Sequence, residues 1–238
     1  MEIISIVTVC LNASNTIKSL IDSVACQDYS HYKLYIIDGG STDQTIDIVN
    51  SYNLENIYCI SEKDNGIYDA MNKAINLVKG KWVIFLGADD ILYNSATLSS
   101  VSKYLKGDQF VYYGNAYFKN RQKIYDKKFG KYKLCLRNIS HQAIFYPIDA
   151  LRKYKYNTNY PLLADYHLNL LLYGDNNYKF SYIECIVSVY DDSGSSSSIK
   201  DTAFEKIKLE LVKHKLGYIP WLYAFVRRRL KEIVLPNE

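Results

Sequence analysis

Two acidic segments in the sequence each follow an apolar run that has the length of a buried strand. Residues 82–88 run into Asp89 and Asp90, and residues 35–37 run into Asp38. Carboxylates are rarely buried without a partner, so these acids are expected at the exposed ends of their strands. Ligands of open α/β sheets bind outside the carboxyl ends of the strands, and paired carboxylates there suit a divalent cation and a diphosphate. The sequence therefore predicts a nucleotide site at this edge.

Strand and helix patterns alternate through the first hundred residues. The pattern predicts amphipathic helices at residues 16–26, 42–51 and 68–78. Apolar runs typical of strands flank them at residues 3–9, 32–38, 57–61 and 82–86. This βαβ order predicts an α/β fold with a mixed, mostly parallel sheet flanked by helices.

The second half of the chain has less regular strand patterns and predicts a mixed sheet with loops. Apolar runs occur at residues 110–113, 116–125, 143–146 and 178–189. A helix is expected to begin at Asp165, with an apolar stripe formed by Leu168, Leu171 and Leu172. The polar segment 191–198 precedes another predicted helix at residues 201–215, and it serves either as a lid over a site or as a plain surface connection.

Composition places the chain among ordinary globular proteins. Its 238 residues suit one large domain, and 48% hydrophobic with 23% charged residues exclude extensive disorder. Five scattered cysteines without a Cys-x-x-Cys pair favour a reducing, cytoplasmic compartment. The sequence shows neither a signal peptide after Met1 nor an apolar stretch long enough to span a bilayer.

Several common nucleotide and metal motifs are absent from the sequence. No Gly-x-Gly-x-x-Gly follows the first predicted strand, which disfavours a dinucleotide-binding domain. Gly80 and Lys81 are followed by Trp82, so the hydroxyl that a P-loop places on magnesium is missing. No His or Cys pair has zinc spacing, so a bound metal is expected to be a hard cation with carboxylate ligands.

The C-terminal segment, residues 218–235, predicts a basic amphipathic helix. Its apolar face contains Leu222, Val226, Leu230, Ile233 and Val234, and its cations are Arg227, Arg228, Arg229 and Lys231. Such a helix can lie in an anionic membrane interface, and the alternative is a terminal helix docked on the domain with a solvated basic face. A net charge of only +4 gives no indication of nucleic-acid binding.

Four ordered motifs between residues 3 and 95 together resemble family 2 inverting glycosyltransferases of the GT-A fold. The likeness is greatest to bacterial colanic-acid, O-antigen and capsule enzymes, becomes weaker up to residue 190 and is absent in the tail. The motifs are Ser5-Ile6-Val7-Thr8-Val9, Asp38-Gly39-Gly40-Ser41-Thr42-Asp43, Ser61-Glu62-Lys63-Asp64-Asn65-Gly66-Ile67-Tyr68-Asp69-Ala70-Met71-Asn72 and Phe85-Leu86-Gly87-Ala88-Asp89-Asp90.

The resemblance implies nucleotide-binding roles for six residues: Thr8, Asp38, Asp64, Asp69, Asn72 and Asp90. Thr8 and Asp38 correspond to residues that hold the base, although Leu11 stands where the family often has a stacking Tyr. The alternatives are an ordinary strand residue for Thr8, a turn or cap carboxylate for Asp38, a turn for Asp64, and polar helix positions for Asp69 and Asn72.

Asp89 and Asp90 correspond to the end of the family's Asp-x-Asp metal motif, in which Gly87 replaces the first acid here. The resemblance implies that Asp89 binds Mn²⁺ or Mg²⁺ and that Asp90 supports it. A bound cation would neutralise the charge that develops on a departing nucleoside diphosphate. The alternative is a structural pair of turn aspartates.

Asp165 corresponds to the family's catalytic base, which removes a proton from the acceptor hydroxyl. A helix N-cap is the alternative, and both roles can coexist. His141 resembles a family histidine that contacts the diphosphate or the acceptor, unless it is a packed structural residue. Gly194 and Ser195 are expected to close on the donor phosphates through backbone N–H groups.

The resemblance thus implies an inverting hexosyl- or N-acetylhexosaminyltransferase that moves a sugar from a nucleotide-diphosphate donor, with UDP favoured, to a lipid-linked saccharide in bacterial surface polysaccharide synthesis. Residues 1–106 are expected to bind the nucleotide, residues 107–215 the acceptor, and residues 216–238 the inner face of the cytoplasmic membrane. The alternatives are a nucleotidyltransferase acting on sugar phosphates and a non-catalytic, membrane-associated binding module.

Overall fold

Four parallel strands alternate with three helices in the first half of the computed structural model, which describes residues 2–125, 127–191 and 201–234. The elements are β1 (Ile4–Cys10), α1 (Ile17–Ala25), β2 (Tyr32–Asp38), α2 (Thr45–Ser51), β3 (Ile57–Ser61), α3 (Ile67–Leu77) and β4 (Trp82–Gly87). The predicted order of elements is confirmed. The predicted start of α2 at residue 42 was wrong, because Asp43 accepts from the backbone N–H of Thr45 (3.0 Å) in a turn, and the helix begins only at Thr45 with Gln44 as its N-cap residue.

The second half adds five strands and six helices within the described residues. They are β5 (Ile91–Leu92), α4 (Thr97–Ser102), β6 (Phe110–Phe118), β7 (Lys123–Tyr125), α5 (Lys131–Leu134), β8 (Ile144–Pro147), α6 (Ile148–Tyr154), α7 (Ala164–Tyr173), β9 (Lys179–Tyr190), α8 (Thr202–Leu216) and α9 (Tyr218–Val234). A 3₁₀ turn, His141–Ala143, leads directly into β8.

The strands form one curled sheet in the order β3-β2-β1-β4-β8-β6-β9-β5, with β7 paired to β6. Strands β1 to β4 are parallel, and β6 is parallel to β9. Strand β8 lies antiparallel between β4 and β6, so β4 and β6 run in the same direction. The carboxyl ends of β1, β2, β4 and β6 therefore share one edge, and the predicted mostly parallel α/β sheet is confirmed.

The prediction of separate strands at 110–113 and 116–125 was wrong. Strand β6 continues through Gly114 and Asn115 with a shift of register against β9, and the chain then turns back into β7. A β-bulge accommodates the glycine and the polar residue that interrupt the apolar pattern. A side chain at Gly114 would meet Val187 Cγ2 at 2.7 Å, so the glycine permits the two strands to approach.

The sheet separates two apolar layers, and alternation along β1 assigns its side chains to them. Val7 and Val9 pack with residues of α3, α6, α7 and α8, whereas Ile4 and Ile6 pack with residues of α1 and α4. Burial on both faces explains why the first strands are continuous apolar runs.

Helix α9 packs on the domain through Ala224 (4% exposed), while the predicted apolar face points away from it. That face remains exposed at Leu222, Val226, Leu230 and Ile233. Within the described ranges, no helix combines the length and the apolar character that crossing a bilayer requires.

Candidate functional site

Asp89 and Asp90 lie at the carboxyl end of β4, where the apolar strand meets solvent. Asp89 is exposed, whereas Asp90 is only 1% exposed. The backbone N–H of Gly87 donates to Asp90 Oδ2 at 2.7 Å, and Asp90 Oδ1 is buried without a hydrogen-bond partner among the described residues. An unpaired buried carboxylate oxygen is costly, which is typical of a functional site.

Gly87 provides the space that both carboxylates occupy. A Cβ atom on Gly87 would lie 2.6 Å from Asp89 Oδ1 and 3.0 Å from Asp90 Oδ2. The two acids therefore fold back over this glycine. The geometry explains why a residue without a side chain stands where the resembling family has the first acid of its Asp-x-Asp motif.

Asp90 has a strongly perturbed acidity. Burial raises the pKa of Asp90 to about 7, the positive charge of nearby His141 opposes the rise, and the negative charge of Asp89 adds to it.

Asp165 lies in the first turn of α7 and is 8% exposed. Its Oδ1 accepts from the Tyr68 hydroxyl at 3.0 Å and from the backbone N–H of Tyr166 at 2.8 Å. Its Oδ2 accepts from Asn138 Nδ2 at 2.8 Å. Leu163, not Asp165, is the N-cap residue of α7, so the N-cap alternative was wrong. The helix N-terminus still stabilises a negative charge at this position.

A one-directional chain of hydrogen bonds leads from the core to Asp165. The buried Tyr146 hydroxyl donates to Asn169 Oδ1 at 2.8 Å, and Asn169 Nδ2 donates to Asn138 Oδ1 at 2.8 Å. Asn138 then donates to Asp165. Because each amide is oriented by the group before it, this series of hydrogen bonds directs the Asn138 N–H at the carboxylate of Asp165 and fixes its orientation.

His141 connects the two acidic groups. Its Nδ1 lies 3.4 Å from Asp165 Oδ2, and 30% of its side chain is exposed. Burial alone would lower the pKa of His141, but the hydrogen bond to Asp165 and the charges of Asp165, Asp90 and Asp89 raise it above its ordinary value. The imidazole of His141 thus lies close to three acidic side chains, and their charges favour its protonated form.

Asp38 is fully buried at the end of β2 and organises the loop that follows. Its Oδ2 accepts from the backbone N–H groups of Gly40 (3.0 Å) and Ser41 (2.9 Å) and from the Ser61 hydroxyl (2.6 Å). Its Oδ1 accepts from the Ser41 hydroxyl and lies 3.6 Å from Cys10 Sγ. These contacts are those of a turn carboxylate, so a direct role in holding the base stays a prediction.

Asp64 packs against the glycine turn after Asp38. A Cβ atom on Gly39 would lie 2.6 Å from Asp64 Oδ2, and Asp64 Oδ1 accepts from the backbone N–H of Gly66 at 2.8 Å. The loops after β2 and β3 therefore lie side by side, as the nucleotide-site prediction requires. Whether they hold a nucleotide stays a prediction.

Asp69 and Asn72 are near each other on α3 but make separate contacts. Asp69 Oδ2 accepts from the backbone N–H of Asn65 at 3.0 Å and thereby closes the loop before the helix. Both polar atoms of the Asn72 amide bond the backbone of Tyr156, at 2.8 Å and 2.9 Å. These contacts account for both side chains as structural groups, and their nucleotide-binding roles stay predictions.

Thr8 is fully buried in the middle of β1, and its hydroxyl has no partner among the described residues. Leu11, which follows the strand directly, is 60% exposed. A role for Thr8 in holding the base stays a prediction. Gly194 and Ser195 lie outside the described residues.

The residues of the site fit a divalent cation that is held mainly by the phosphates of a bound substrate. Among residues 2–125, 127–191 and 201–234, no three His, Cys, Asp or Glu side chains are grouped to hold a metal ion. Asp89 offers one exposed carboxylate, and the buried Oδ1 of Asp90 has no hydrogen-bond partner among the described residues. Mg²⁺ commonly binds through one or two carboxylates together with substrate phosphates, so this arrangement suits it.

Known proteins resemble this chain over most of its length. Residues 5–161 match the Glycosyl transferase family 2 sequence family. The chain is 34% identical over 210 residues to a PGL/p-HBAD biosynthesis glycosyltransferase of Mycobacterium bovis, which covers 85% of this chain and 82% of the relative. It is 29% identical over 237 residues to the Escherichia coli UDP-Glc:alpha-D-GlcNAc-diphosphoundecaprenol beta-1,3-glucosyltransferase WfgD, with coverage of 94% and 92%.

The fold also matches a solved structure. The structure of S. aureus TarS 1-349 in complex with UDP-GlcNAc superposes with a TM-score of 0.74 at 19% sequence identity. The match covers 91% of this chain, which spans 66% of the TarS chain. The predicted GT-A fold is confirmed.

Proposed function

This chain belongs to glycosyl transferase family 2, and we propose that it transfers one sugar, with inversion, from a UDP-sugar to a lipid-linked saccharide during bacterial surface polysaccharide synthesis. That the enzyme is a glycosyltransferase follows from the family and from relatives with that activity in their names. The observation that carries the finer proposal is the cluster of Asp89, His141 and Asp165 at the carboxyl edge of the sheet.

The donor nucleotide is proposed to lie across the loops that follow β1, β2 and β3. Asp38 and Asp64 shape the loops after β2 and β3. Asp90, which accepts from Gly87 at the end of β4, is proposed to support nucleotide binding from there. Uridine is favoured because the named donor of the E. coli relative is UDP-Glc. Thr8, Asp69 and Asn72 belong to the same proposed half, residues 1–106, and Gly194 and Ser195 are proposed to close over the phosphates.

Asp165 is proposed to act as the general base. Its carboxylate takes the proton of the acceptor hydroxyl while that oxygen bonds to the anomeric carbon, and the bond from this carbon to the diphosphate breaks with its electron pair leaving on UDP. Tyr68, Asn138 and Tyr166 fix the carboxylate for this step. A base on the side opposite the leaving group produces inversion.

His141 and Asp89 are proposed to face the diphosphate. Asp89 would hold Mn²⁺ or Mg²⁺ together with the donor phosphates, and this cation would neutralise charge on the leaving group. The raised pKa of His141 favours an imidazolium, which stabilises an oxyanion by the same electrostatic principle.

The acceptor is proposed to be a saccharide on a lipid diphosphate, because the E. coli relative is named for such a substrate. Residues 107–215 are proposed to bind it and residues 216–238 to contact the inner face of the cytoplasmic membrane. The exposed apolar residues and the arginines of α9 support that contact.

The test of the donor site is a thermal-shift panel of UDP, GDP, dTDP and CDP, each with and without Mn²⁺. Binding to the native state raises the melting temperature by mass action. We expect a metal-dependent shift with UDP that Asp89→Asn removes and that Asp149→Asn, an exposed aspartate on α6, leaves intact. The absence of a shift with every nucleotide of the panel would contradict the proposed donor site.

A further inference from the structure

The charge of this protein is strongly segregated along the chain. Residues 119–137 contain eight Lys and Arg and one Asp, a net charge of +7. Residues 218–234 of α9 contain four Lys and Arg and one Glu, a net charge of +3. Because the whole chain carries +4, the remaining residues carry a net −6. The modest overall charge therefore conceals two basic segments in a chain whose remaining residues are net acidic.

The two basic segments meet in the structure although 80 residues of sequence separate them. Tyr132 of α5 and Tyr223 of α9 contact each other edge to face, with ring centroids 5.7 Å apart. The Arg227 guanidinium lies 6.0 Å from the Tyr223 ring, and the Lys133 ammonium lies 4.4 Å from the Phe129 ring. The Tyr132–Tyr223 contact thus joins α5, within the 119–137 segment, to α9. We name the two segments together, residues 119–125, 127–137 and 218–234, the basic face.

The basic face also carries exposed apolar and aromatic side chains. Ile124 and Tyr132 are 42% and 54% exposed on the 119–137 side. Leu222, Val226 and Leu230 are exposed on the α9 side. Cations mixed with exposed aromatic and aliphatic side chains are typical of surfaces that lie in the interface of an anionic bilayer.

The basic face adjoins the proposed catalytic acid. The Tyr166 hydroxyl donates to the backbone carbonyl of Leu134 in α5, and Tyr166 is the neighbour of Asp165. The Tyr125 hydroxyl donates to the carbonyl of Asn138 at 3.2 Å, and the Asn138 side chain holds Asp165. A surface that rests against the basic face therefore lies next to the acceptor side of the site.

We propose that residues 119–137 and α9 together form a single docking surface for an anionic phospholipid bilayer, in which the 119–137 segment supplies most of the charge. The charge complementarity and the contact between the two segments carry this inference. It extends the proposed function, because a lipid-linked acceptor would enter the site from such a surface. Helix α9 alone supplies less than a third of the charge of this surface.

The experiment measures co-sedimentation of the full chain with vesicles of phosphatidylcholine alone or with about one third phosphatidylglycerol. The test variant replaces the exposed Lys127, Lys128 and Lys131 by Ser. The matched control replaces Lys79, Lys103 and Lys106 by Ser, because these exposed lysines precede β4 and β6 at the opposite edge of the sheet. Both variants lose three positive charges, and neither replaces a residue of the proposed catalytic cluster.

We expect wild type and control to bind only the anionic vesicles and to be released by about 0.5 M salt. Since a basic residue at an anionic surface contributes about 1 kcal/mol, the test variant should need at least about tenfold more lipid for half-binding. Lys→Arg replacements at the same three positions should restore binding. Adding Arg227→Ser, Arg228→Ser and Arg229→Ser to the test variant should abolish it.

Two results would overturn the proposal: a test variant that binds like the control, or a wild type that binds neutral vesicles equally and ignores salt. The first result would leave α9 as the sole anchor, and the second would show apolar insertion without charge recognition. Because vesicle binding is measured without donor or acceptor, its failure is separate from a failure of the proposed sugar transfer.

Discussion

The imidazole Nδ1 of His141 lies 3.4 Å from the carboxylate Oδ2 of Asp165, although the two residues come from different elements of the fold. His141 begins the turn before β8, and Asp165 lies in the first turn of α7. This contact brings the proposed base beside the histidine whose pKa the charges of Asp89 and Asp90 also raise. In the proposed function, Asp89 and Asp90 belong to the donor side of the site and Asp165 belongs to the acceptor side.

Removing the start of the hydrogen-bond chain should slow transfer without weakening donor binding. Tyr146→Phe deletes the hydroxyl that orients Asn169, so Asn138 and then Asp165 lose their fixed geometry. We expect kcat to fall about tenfold, and stability to fall by about 1–3 kcal/mol because a buried acceptor is left unpaired. Steady-state kinetics with varied UDP-sugar checks this.

Tyr113→Phe is the matched control for Tyr146→Phe. Tyr113 is equally buried, and its hydroxyl bonds only the backbone of Phe129 among the contacts described. It should lose similar stability with kcat unchanged. Equal kcat values for the two variants would show that the hydrogen bonds leading from Tyr146 to Asp165 contribute to stability and not to catalysis.

Adding a methyl group at Gly87 should damage metal-dependent donor binding. Gly87→Ala places a Cβ atom 2.6 Å from Asp89 Oδ1 and 3.0 Å from Asp90 Oδ2, so both carboxylates must move. We expect the Kd for UDP with Mn²⁺ to rise at least about tenfold, since metal sites depend on ligand placement. Calorimetric titration checks this, with Gly130→Ala as control because its Cβ would meet open space. Unchanged UDP affinity in Gly87→Ala would argue against a role for these two carboxylates.

The stability that His141 supplies should depend on pH in a defined direction. Its pKa is raised in the folded protein, so its contribution is complete below its ordinary pKa of about 6.5 and is lost as pH rises through the folded value. His141→Gln should therefore destabilise the protein more at acidic than at alkaline pH. Denaturant unfolding across this range checks the sign.

Asp165→Asn tests the cause of that pH dependence, because it removes the negative charge of the carboxylate that contacts His141. In this background the effect of His141→Gln should vary less with pH. A pH profile that stays the same would assign the raised pKa of His141 to Asp89 and Asp90 alone.

Loss of the Asn72 amide should cost stability. Asn72→Ala leaves the backbone N–H and carbonyl of Tyr156 without their partners, so we expect a loss of about 1–3 kcal/mol in the free energy of unfolding. Chemical unfolding measures it, and UDP affinity measured on the same variant separates the structural contact from nucleotide binding. A stable variant with weakened UDP binding would support the nucleotide-binding prediction instead.

The sequence predicted the first half of the fold well because its strands are buried on both faces. Continuous apolar runs gave β2 and β3 their observed bounds, and the acids at the ends of β2 and β4 marked the site edge. The second half was harder because the bulge at Gly114 and Asn115 breaks the apolar pattern of β6 without ending the strand.

The groups that hold Asp165 were missed because they come from distant parts of the chain. Tyr68 is 97 residues from Asp165, and Asn138 is 27 residues away. Asn138 carries no local signal of its role. Asn169 did carry one, since it is a polar residue inside an apolar helical run and is fully buried. The expected stripe of α7 was also wrong at Leu171, which is only partly buried while Leu170 is enclosed.

The most direct test of the central claim is sugar transfer by Asp165→Asn, measured in single turnovers with saturating UDP-sugar and a saccharide acceptor on a lipid diphosphate. The variant keeps an oxygen for Tyr68 but cannot accept a proton as a carboxylate does. The account predicts that UDP affinity is unchanged and that the transfer rate falls about 10²- to 10⁴-fold. A variant that transfers sugar at the wild-type rate would contradict Asp165 as the base.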